Sequence, residues 1–252
     1  MDKPSPNSMI FVSNLTKQIG TQQILRGIDL EVSSGETLVL IGRSGSGKSV
    51  LLKHLIGLMT PTSGQVWIEG RQIIGLKERE LLPIRKRVGM MFQSGALFDS
   101  MTVYDNVAFP LREAGESADA IRQKVTEALD LVELTGHEQK MPVNISGGMK
   151  KRVALARVII NRPACVLYDE PTAGLDPIVS DSIDHLIRRL QKRFGVTSIV
   201  VTHDMKSATY IADKIAYIHE GLIYFSGTPA ELVSSKDPLI QDFINGRSGE
   251  TD

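Results

Sequence analysis

The hydrophobic pattern of this chain alternates between short apolar runs and longer amphipathic segments, with Gly and Pro at many of the boundaries. Short β-like pieces separated by polar turns predict a small antiparallel sheet near the start, at residues 10–12, 23–25, 28–32 and 65–69. Four continuous apolar runs are typical of strands buried on both faces of a parallel sheet, and they lie at residues 38–41, 88–92, 166–168 and 199–201. The alternation of such strands with helical segments predicts an α/β protein.

Helical periodicity dominates residues 94–161. The clearest stripe has apolar residues at i, i+4, i+7, i+8 and i+11, namely Ile121, Val125, Ala128, Leu129 and Val132. This block is predicted to be an inserted helical subdomain. Further on, residues 215–225 predict a hairpin that turns at Glu220 and Gly221, and residues 239–244 predict a short helix before a polar, frayed end.

Composition and charge narrow the class of protein. The 252 residues include 29 Lys or Arg and 29 Asp or Glu, so the net charge is zero and no global field attracts nucleic acid. We therefore expect no nucleic-acid partner. The single cysteine, Cys165, cannot form an intramolecular disulfide and is predicted to be a small buried residue. No run reaches the ~18 apolar residues of a spanning helix and the start does not resemble a secretion signal, so a cytoplasmic chain is expected.

A glycine-rich loop follows the predicted strand 38–41 and precedes a helix that is predicted to begin near Lys48. Its pattern, G-x-x-x-x-G-K-S, lets backbone N–H groups approach phosphate oxygens, and the helix N-terminus favours an anion. Lys48 is expected to reach the β- and γ-phosphates and Ser49 to bind Mg²⁺. The predicted nucleotide contacts are Gly42, Arg43, Ser44, Gly45, Ser46, Gly47, Lys48, Ser49 and Val50.

Two carboxylates end the apolar strand predicted at residues 166–168. Adjacent strand residues point to opposite sides, so Asp169 and Glu170 are expected to have different roles. Asp169 is predicted to hold the Mg²⁺ shell, and Glu170 to orient or deprotonate the attacking water. Together with the phosphate loop, these residues predict nucleotide hydrolysis.

Residues 145–149, Ile-Ser-Gly-Gly-Met, resemble the signature loop, usually LSGGQ, of the ATP-binding-cassette (ABC) ATPases. The resemblance covers nearly the whole chain. It implies a P-loop NTPase core with a mainly parallel sheet, an N-terminal antiparallel β subdomain and the inserted helical subdomain, in one domain over residues 1–233 with a tail at 234–252. It also implies a head-to-tail homodimer, in which Ser146, Gly147 and Gly148 bind the γ-phosphate of ATP held by the opposite subunit.

Three further positions match the motifs of this family. Gln93 resembles the Q-loop residue, which implies a Mg²⁺ contact and a catalytic role, and Asp176 resembles the D-loop residue. His203 resembles the switch histidine and would donate a hydrogen bond to the γ-phosphate. The other histidines lack such a context, and structural roles are predicted for them.

The sequence departs from the family pattern at two positions. Ile19 stands where an aromatic residue usually stacks on adenine, and Met149 replaces the signature glutamine. Base recognition is therefore expected to be weak, with Phe11 as the nearby aromatic residue that could reach the base instead. The subtype is indicated by two segments, residues 92–111 and Ser-Gly-Gly-Met at 146–149. They look most like the corresponding segments of the ATPases of bacterial phospholipid transporters of the Mla and Mce type.

That resemblance implies partners and a location. The chain would be peripheral, on the cytoplasmic face of the inner membrane, and would power a permease docked near residues 94–111. A periplasmic lipid-binding protein would complete the complex. The candidate permease contacts are Phe98, Met101, Tyr104 and Phe109, of which at least half are expected to be core residues instead.

Three alternatives remain open from the sequence. An ATPase of a polar-solute importer, such as an amino-acid system, would differ mainly in residues 92–111. A small-molecule P-loop kinase would have the phosphate loop but neither the Ser-Gly-Gly loop nor the switch histidine. A soluble ABC protein acting on ribosomes or DNA would typically need a second cassette, long coiled coils or a basic surface.

Overall fold

The computed structural model describes residues 3–247. In chain order, the strands are β1 (Ser8–Ile19), β2 (Gln22–Ser33), β3 (Thr37–Ile41), β4 (Ser63–Ile68), β5 (Arg71–Gln72), β6 (Val88–Met91), β7 (Cys165–Asp169), β8 (Thr197–Val201), β9 (Lys214–His219) and β10 (Leu222–Gly227). The helices are α1 (Lys48–Leu55), α2 (Glu78–Arg87), α3 (Val103–Glu113), α4 (Ala118–Leu131), α5 (Gly147–Ile159), α6 (Pro177–Phe194), α7 (Met205–Ile211), α8 (Pro229–Ser234) and α9 (Pro238–Ile244). A short 3₁₀ turn covers Pro142–Asn144.

The chain divides into two compact units, and the division falls within α2. Of the described residues, the first unit contains 3–84 and 197–247. Its antiparallel sheet has the order β2-β1-β4-β5. In its second set of strands, β3 pairs in parallel with β8 and with β9, and β10 pairs antiparallel with β9. The predicted antiparallel sheet is therefore confirmed, and the runs at 38–41 and 199–201, predicted as strands of a parallel sheet, do form parallel strands, which pair with each other.

The second unit contains residues 85–196. Strands β6 and β7 pair in parallel, with Met91 opposite Tyr168. Helices α3, α4 and α5 all lie within the block predicted to be helical, and α4 buries the predicted apolar stripe. Side chains cap these helices, since Thr102, Ser117 and Ser146 accept hydrogen bonds from the first turns of α3, α4 and α5. The finer domain boundaries, 1–233 with 94–161 inserted and a tail at 234–252, stay predictions.

Several local predictions are confirmed. Residues Glu220 and Gly221, which join β9 to β10, both have positive φ, at 46° and 76°, as a tight two-residue hairpin turn requires. Cys165 is fully buried, and α9 matches the predicted helix at 239–244. The frayed end predicted after it lies in part at residues 248–252, outside the described residues. Among residues 3–247, no helix is long and apolar enough to cross a bilayer.

Candidate functional site

The glycine-rich loop joins β3, which is buried along its whole length, to α1 in the first unit. Gly47 caps α1 in a left-handed conformation with φ of 99°. A Cβ on Gly47 would lie 2.7 Å from Leu25 Cδ2, and one on Gly42 would lie 2.5 Å from the carbonyl oxygen of Ile218. Both positions therefore require glycine, because the loop lies tightly against β2 and β9. The tight packing shapes a backbone cradle at the start of a helix.

Lys48 is buried at the base of this loop. Its Nζ donates hydrogen bonds to the carbonyl oxygens of Gly42, at 2.7 Å, and Arg43, at 3.0 Å. The Ser46 hydroxyl is also buried, and it has no hydrogen-bond partner within residues 3–247. An ammonium, an unsatisfied hydroxyl and a helix N-terminus form a donor set that fits phosphate oxygens. Lys48 and Ser46 thus offer donors suited to the predicted phosphate contacts, which stay predictions, and half-buried Ser49 follows them on α1.

Two other predicted residues belong to the same unit. His203 is exposed in the loop between β8 and α7, where the neighbouring Asp204 caps α7. Ile19 ends β1 and is 49% exposed. Phe11, in contrast, is fully buried in the middle of β1, which lies between β2 and β4. The suggestion that Phe11 could reach the base is therefore wrong, because its side chain is part of the core.

The two carboxylates of the second unit lie at the end of β7. Asp169 is buried as the last strand residue, whereas Glu170 is partly exposed and has a left-handed backbone with φ of 50°. A non-glycine residue in this region is strained, and Pro171 follows it directly. The two carboxylates thus differ in exposure, which is compatible with their separate predicted roles.

Lys151, on α5, is a functional candidate that the sequence analysis missed. It is 6% exposed, and its Nζ donates hydrogen bonds to the carbonyl oxygens of Gln93 and Glu170. Burial lowers the pKa of the Lys151 ammonium below its usual value, while the nearby charges of Glu170 and Asp169 oppose that shift. Lys151 thus brings two predicted site residues, Gln93 and Glu170, together around one cation. The sequence signal that could have indicated Lys151 is a charged residue on the face of a helix that is expected to be buried.

The Ser-Gly-Gly loop forms the N-terminus of α5. Ser146 is exposed and caps the helix by accepting a hydrogen bond from the Met149 N–H at 3.3 Å. A Cβ on Gly148 would lie 2.4 Å from Val179 Cγ1, so this glycine is required by packing against α6. Asp176 caps α6 by accepting hydrogen bonds from the N–H groups of Ile178 and Val179. Both predicted loops therefore present helix N-termini at exposed positions.

The loop between β6 and α3 carries the predicted permease contacts. Phe98 is 40% exposed, with its ring 4.9 Å from that of Phe109 and the Arg157 guanidinium 5.7 Å from its centre. Met101, Tyr104 and Phe109 are half-buried. The expectation that at least half of these four residues are core is wrong, because α3 instead buries Val103, Asn106, Val107, Ala108 and Leu111. Of the three aromatic side chains, Phe98 is the exposed one.

The residues predicted to bind Mg²⁺ fit a hard cation. Ser49, Gln93 and Asp169 offer hydroxyl, amide and carboxylate oxygens, the ligand types that Mg²⁺ prefers. No group of three or more His, Cys, Asp or Glu side chains within residues 3–247 is arranged to hold a metal by itself. Ser49 belongs to the first unit and Gln93 and Asp169 to the second, so their joint binding of one Mg²⁺ stays a prediction.

Comparison with known proteins identifies the family. The ABC transporter family model matches residues 25–173, which contain the glycine-rich loop, Gln93, the Ser-Gly-Gly loop and both carboxylates. The chain belongs to the ABC transporter family. It is the ATPase subunit of such a transporter, it binds ATP, and its activity is ATP hydrolysis.

Curated relatives resemble the chain over most of its length. It is 42% identical over 239 residues to the probable ribonucleotide transport ATP-binding protein mkl of Mycobacterium leprae, covering 94% of this chain and 69% of that protein. It is 41% identical over 242 residues to the intermembrane phospholipid transport system ATP-binding protein MlaF of Haemophilus influenzae, covering 96% and 92%. The methionine import ATP-binding protein MetN of Carboxydothermus hydrogenoformans is 38% identical over 94% of this chain and 72% of its own length.

Solved structures show the same fold. The dimeric post-hydrolysis state of the ATP-binding cassette MJ0796, bound to ADP and Pi, has a TM-score of 0.81 and 32% identity over 88% of this chain and 99% of that one. The cbiO1 protein of Clostridium perfringens, part of the cbiONQ complex, has a TM-score of 0.85 and 29% identity over 94% and 95%. These likenesses confirm the expected ABC ATPase fold.

Proposed function

We propose that this chain powers a phospholipid transporter, as a peripheral subunit on the cytoplasmic face of the inner membrane. The observation that carries this proposal is the 41% identity to the phospholipid transport protein MlaF over 96% of the chain, together with Ser-Gly-Gly-Met at residues 146–149. The cargo is glycerophospholipid moved between inner and outer membranes. A membrane permease and a periplasmic lipid-binding protein complete the complex.

In the proposed hydrolysis, the glycine-rich loop and Lys48 bind the phosphates of ATP and orient the γ-phosphate. Ser49, Gln93 and Asp169 would hold Mg²⁺, which would supply positive charge next to the phosphate oxygens. Glu170 accepts a proton from the attacking water through its carboxylate, and His203 donates a hydrogen bond to a γ-phosphate oxygen. The buried Asp169 and the partly exposed Glu170 support this division of roles.

We further propose that two copies of the chain form the complete site. Ser146, Gly147 and Gly148 of the second copy would contact the γ-phosphate, with Asp176 next to them in the interface. The exposed, capped N-terminus of α5 supports this arrangement, because a helix N-terminus favours an anion. The dimeric cassette structure bound to ADP and Pi supports it as well.

The permease is proposed to dock on the aromatic surface formed by Phe98, Met101, Tyr104 and Phe109. Phe98 supports this proposal because its ring is 40% exposed yet held in place between Phe109 and Arg157. Exposed aromatic residues with fixed orientations are common anchors of protein interfaces. A short helix of the permease with an apolar face would suit this surface.

Cargo identity can be tested with the purified complex. The chain and a candidate permease from the same organism are co-expressed, reconstituted in phospholipid vesicles and supplied with ATP. We expect ATP-dependent transfer of labelled phospholipid, and no transfer by a Lys48→Ala complex. ATPase stimulation by a free amino acid, with no phospholipid transfer, would refute the lipid assignment and favour the importer alternative suggested by the 38% identity to MetN.

Docking can be tested separately with a matched pair of variants. Phe98→Glu is expected to lose capture of the permease while keeping ATP binding. Phe194→Glu is the control, because Phe194 is the same residue type, 44% exposed, and outside the docking surface. Equal permease capture by both variants and the unmodified chain would contradict the proposed surface.

A further inference from the structure

Lys151 connects three functional segments of the second unit. The residue lies on α5, within two turns of the signature residue Ser146. Its buried ammonium donates to the carbonyl oxygen of Gln93, at the start of the loop that leads to the docking surface, and to that of Glu170, at 3.2 Å. These two partners are separated from Lys151 by 58 and 19 residues in the sequence.

The backbone at Glu170 needs such support. With φ of 50°, the residue has a left-handed conformation that costs free energy for any side chain with a Cβ. Its carbonyl oxygen accepts hydrogen bonds from the Ala173 N–H, at 3.2 Å, and from Lys151. A strained conformation persists only where its surroundings fix it, and the Lys151 hydrogen bond is one of the contacts that do so here.

A second cation on the same helix holds the same loop further along. Arg157 Nη2 donates to the carbonyl oxygen of Gly95 at 2.7 Å, and its guanidinium lies over the Phe98 ring. Helix α5 therefore holds the loop 93–98 at two points. Of the two residues that make these contacts, Lys151 also hydrogen-bonds the carbonyl oxygen of Glu170.

We infer that Lys151 is a positioning residue for ATP hydrolysis, which fixes the backbone of Glu170 relative to Gln93 by hydrogen-bonding both carbonyl oxygens. It does not touch ATP and transfers no proton. It sets the direction in which the Glu170 carboxylate leaves the strained turn, and it links that direction to the loop that begins at Gln93. This inference rests on the proposed role of Glu170 as the base.

The test removes the ammonium and measures binding and chemistry separately. Lys151→Met keeps the aliphatic length without the donors, so we expect kcat to fall about tenfold or more while the Kd for MgATP stays within about threefold. Lys151→Gln supplies two N–H donors on a shorter, uncharged side chain, and it is expected to recover part of kcat. Lys150→Met, at the neighbouring half-buried position, is the control and should retain the full rate.

A combination with Glu170→Gln separates positioning through Glu170 from a general loss of structure. If Lys151 acts through the carboxylate, Lys151→Met lowers the residual single-turnover rate of Glu170→Gln by less than about threefold. An equal loss in both backgrounds, an unchanged kcat for Lys151→Met alone, or a loss of MgATP affinity as large as the loss of kcat would overturn the inference. If Lys151→Met does not fold, Lys151→Gln is measured against the same criteria.

The two proposals can fail separately. Wild-type turnover by Glu170→Gln alone would show that Glu170 is not the base, and the inference about Lys151 would fall with that assignment. Slow turnover by Glu170→Gln together with normal turnover by Lys151→Met would overturn only the positioning role.

Discussion

Asn106 is expected to control the docking surface without being part of the exposed surface. The residue is fully buried in α3, and its side chain has hydrogen-bonding contacts with four backbone groups. Oδ1 accepts from the Phe98 N–H at 2.8 Å, and the two N–H groups of Nδ2 are shared among the carbonyl oxygens of Phe98, Met101 and Thr102 at 3.0 to 3.1 Å. Asn106→Ala would leave the loop that carries Phe98 without these contacts.

The expected loss can be estimated from this geometry. Each net hydrogen bond contributes about 0.5 to 1.5 kcal/mol, so one accepted and two donated bonds would give roughly 1.5 to 4.5 kcal/mol. Because the freed loop groups can turn toward water, we expect the free energy of unfolding to fall by about 3 kcal/mol. Urea denaturation measures this change, and hydrogen exchange at the Phe98 amide should become faster. A loss below about 0.5 kcal/mol would refute the reasoning, since ordinary surface substitutions reach that size.

Two further variants separate hydrogen bonding from packing. Asn106→Asp has nearly the same shape and still accepts from the Phe98 N–H, but it would place a carboxylate against three carbonyl oxygens. We expect it to be at least as unstable as Asn106→Ala, because a buried, unpaired charge is costly. If packing alone mattered, Asn106→Asp would resemble the unmodified chain. Asn144→Ala, at an exposed asparagine, is the surface control.

Further outcomes are expected from changes at the ATP site. Glu170→Gln should slow ATP hydrolysis by ~10²- to 10⁴-fold while ATP still binds, so that an ATP-bound dimer accumulates and is seen on gel filtration. If the Glu170→Gln variant hydrolysed ATP at the wild-type rate, another residue would be the base. Mixing Lys48→Ala chains with Ser146→Ala chains should restore one of two composite sites, and activity that is only the sum of the two variants would contradict a shared site. Ile19→Tyr should tighten ATP binding by ~1 to 3 kcal/mol, because the tyrosine ring can stack on the base. In the unmodified chain, competition titrations should show ATP and GTP binding with affinities within about tenfold of each other. A strong preference for ATP would show that another residue recognises the base.

The sequence by itself determined the features that depend on local chemistry. The glycine-rich loop could be placed between β3 and α1 because its spacing and flanking periodicity describe one continuous segment of backbone. The turn at Glu220 and Gly221 and the buried stripe of α4 were predictable for the same reason, since hairpin turns and helical periodicity are short-range properties.

Only the tertiary structure decided which residues meet across long distances in the chain. Periodicity shows which face of an element is buried but not what lies against it, so Lys151 could not be linked to Gln93 and Glu170 from sequence. Phe11 seemed available to the base until β1 proved to be a central strand that buries it. The accessible position of Phe98 likewise depends on the long-range contacts of its loop with α5. Burial and strain are set by neighbours that are remote in sequence, and for that reason the fold was needed to identify them.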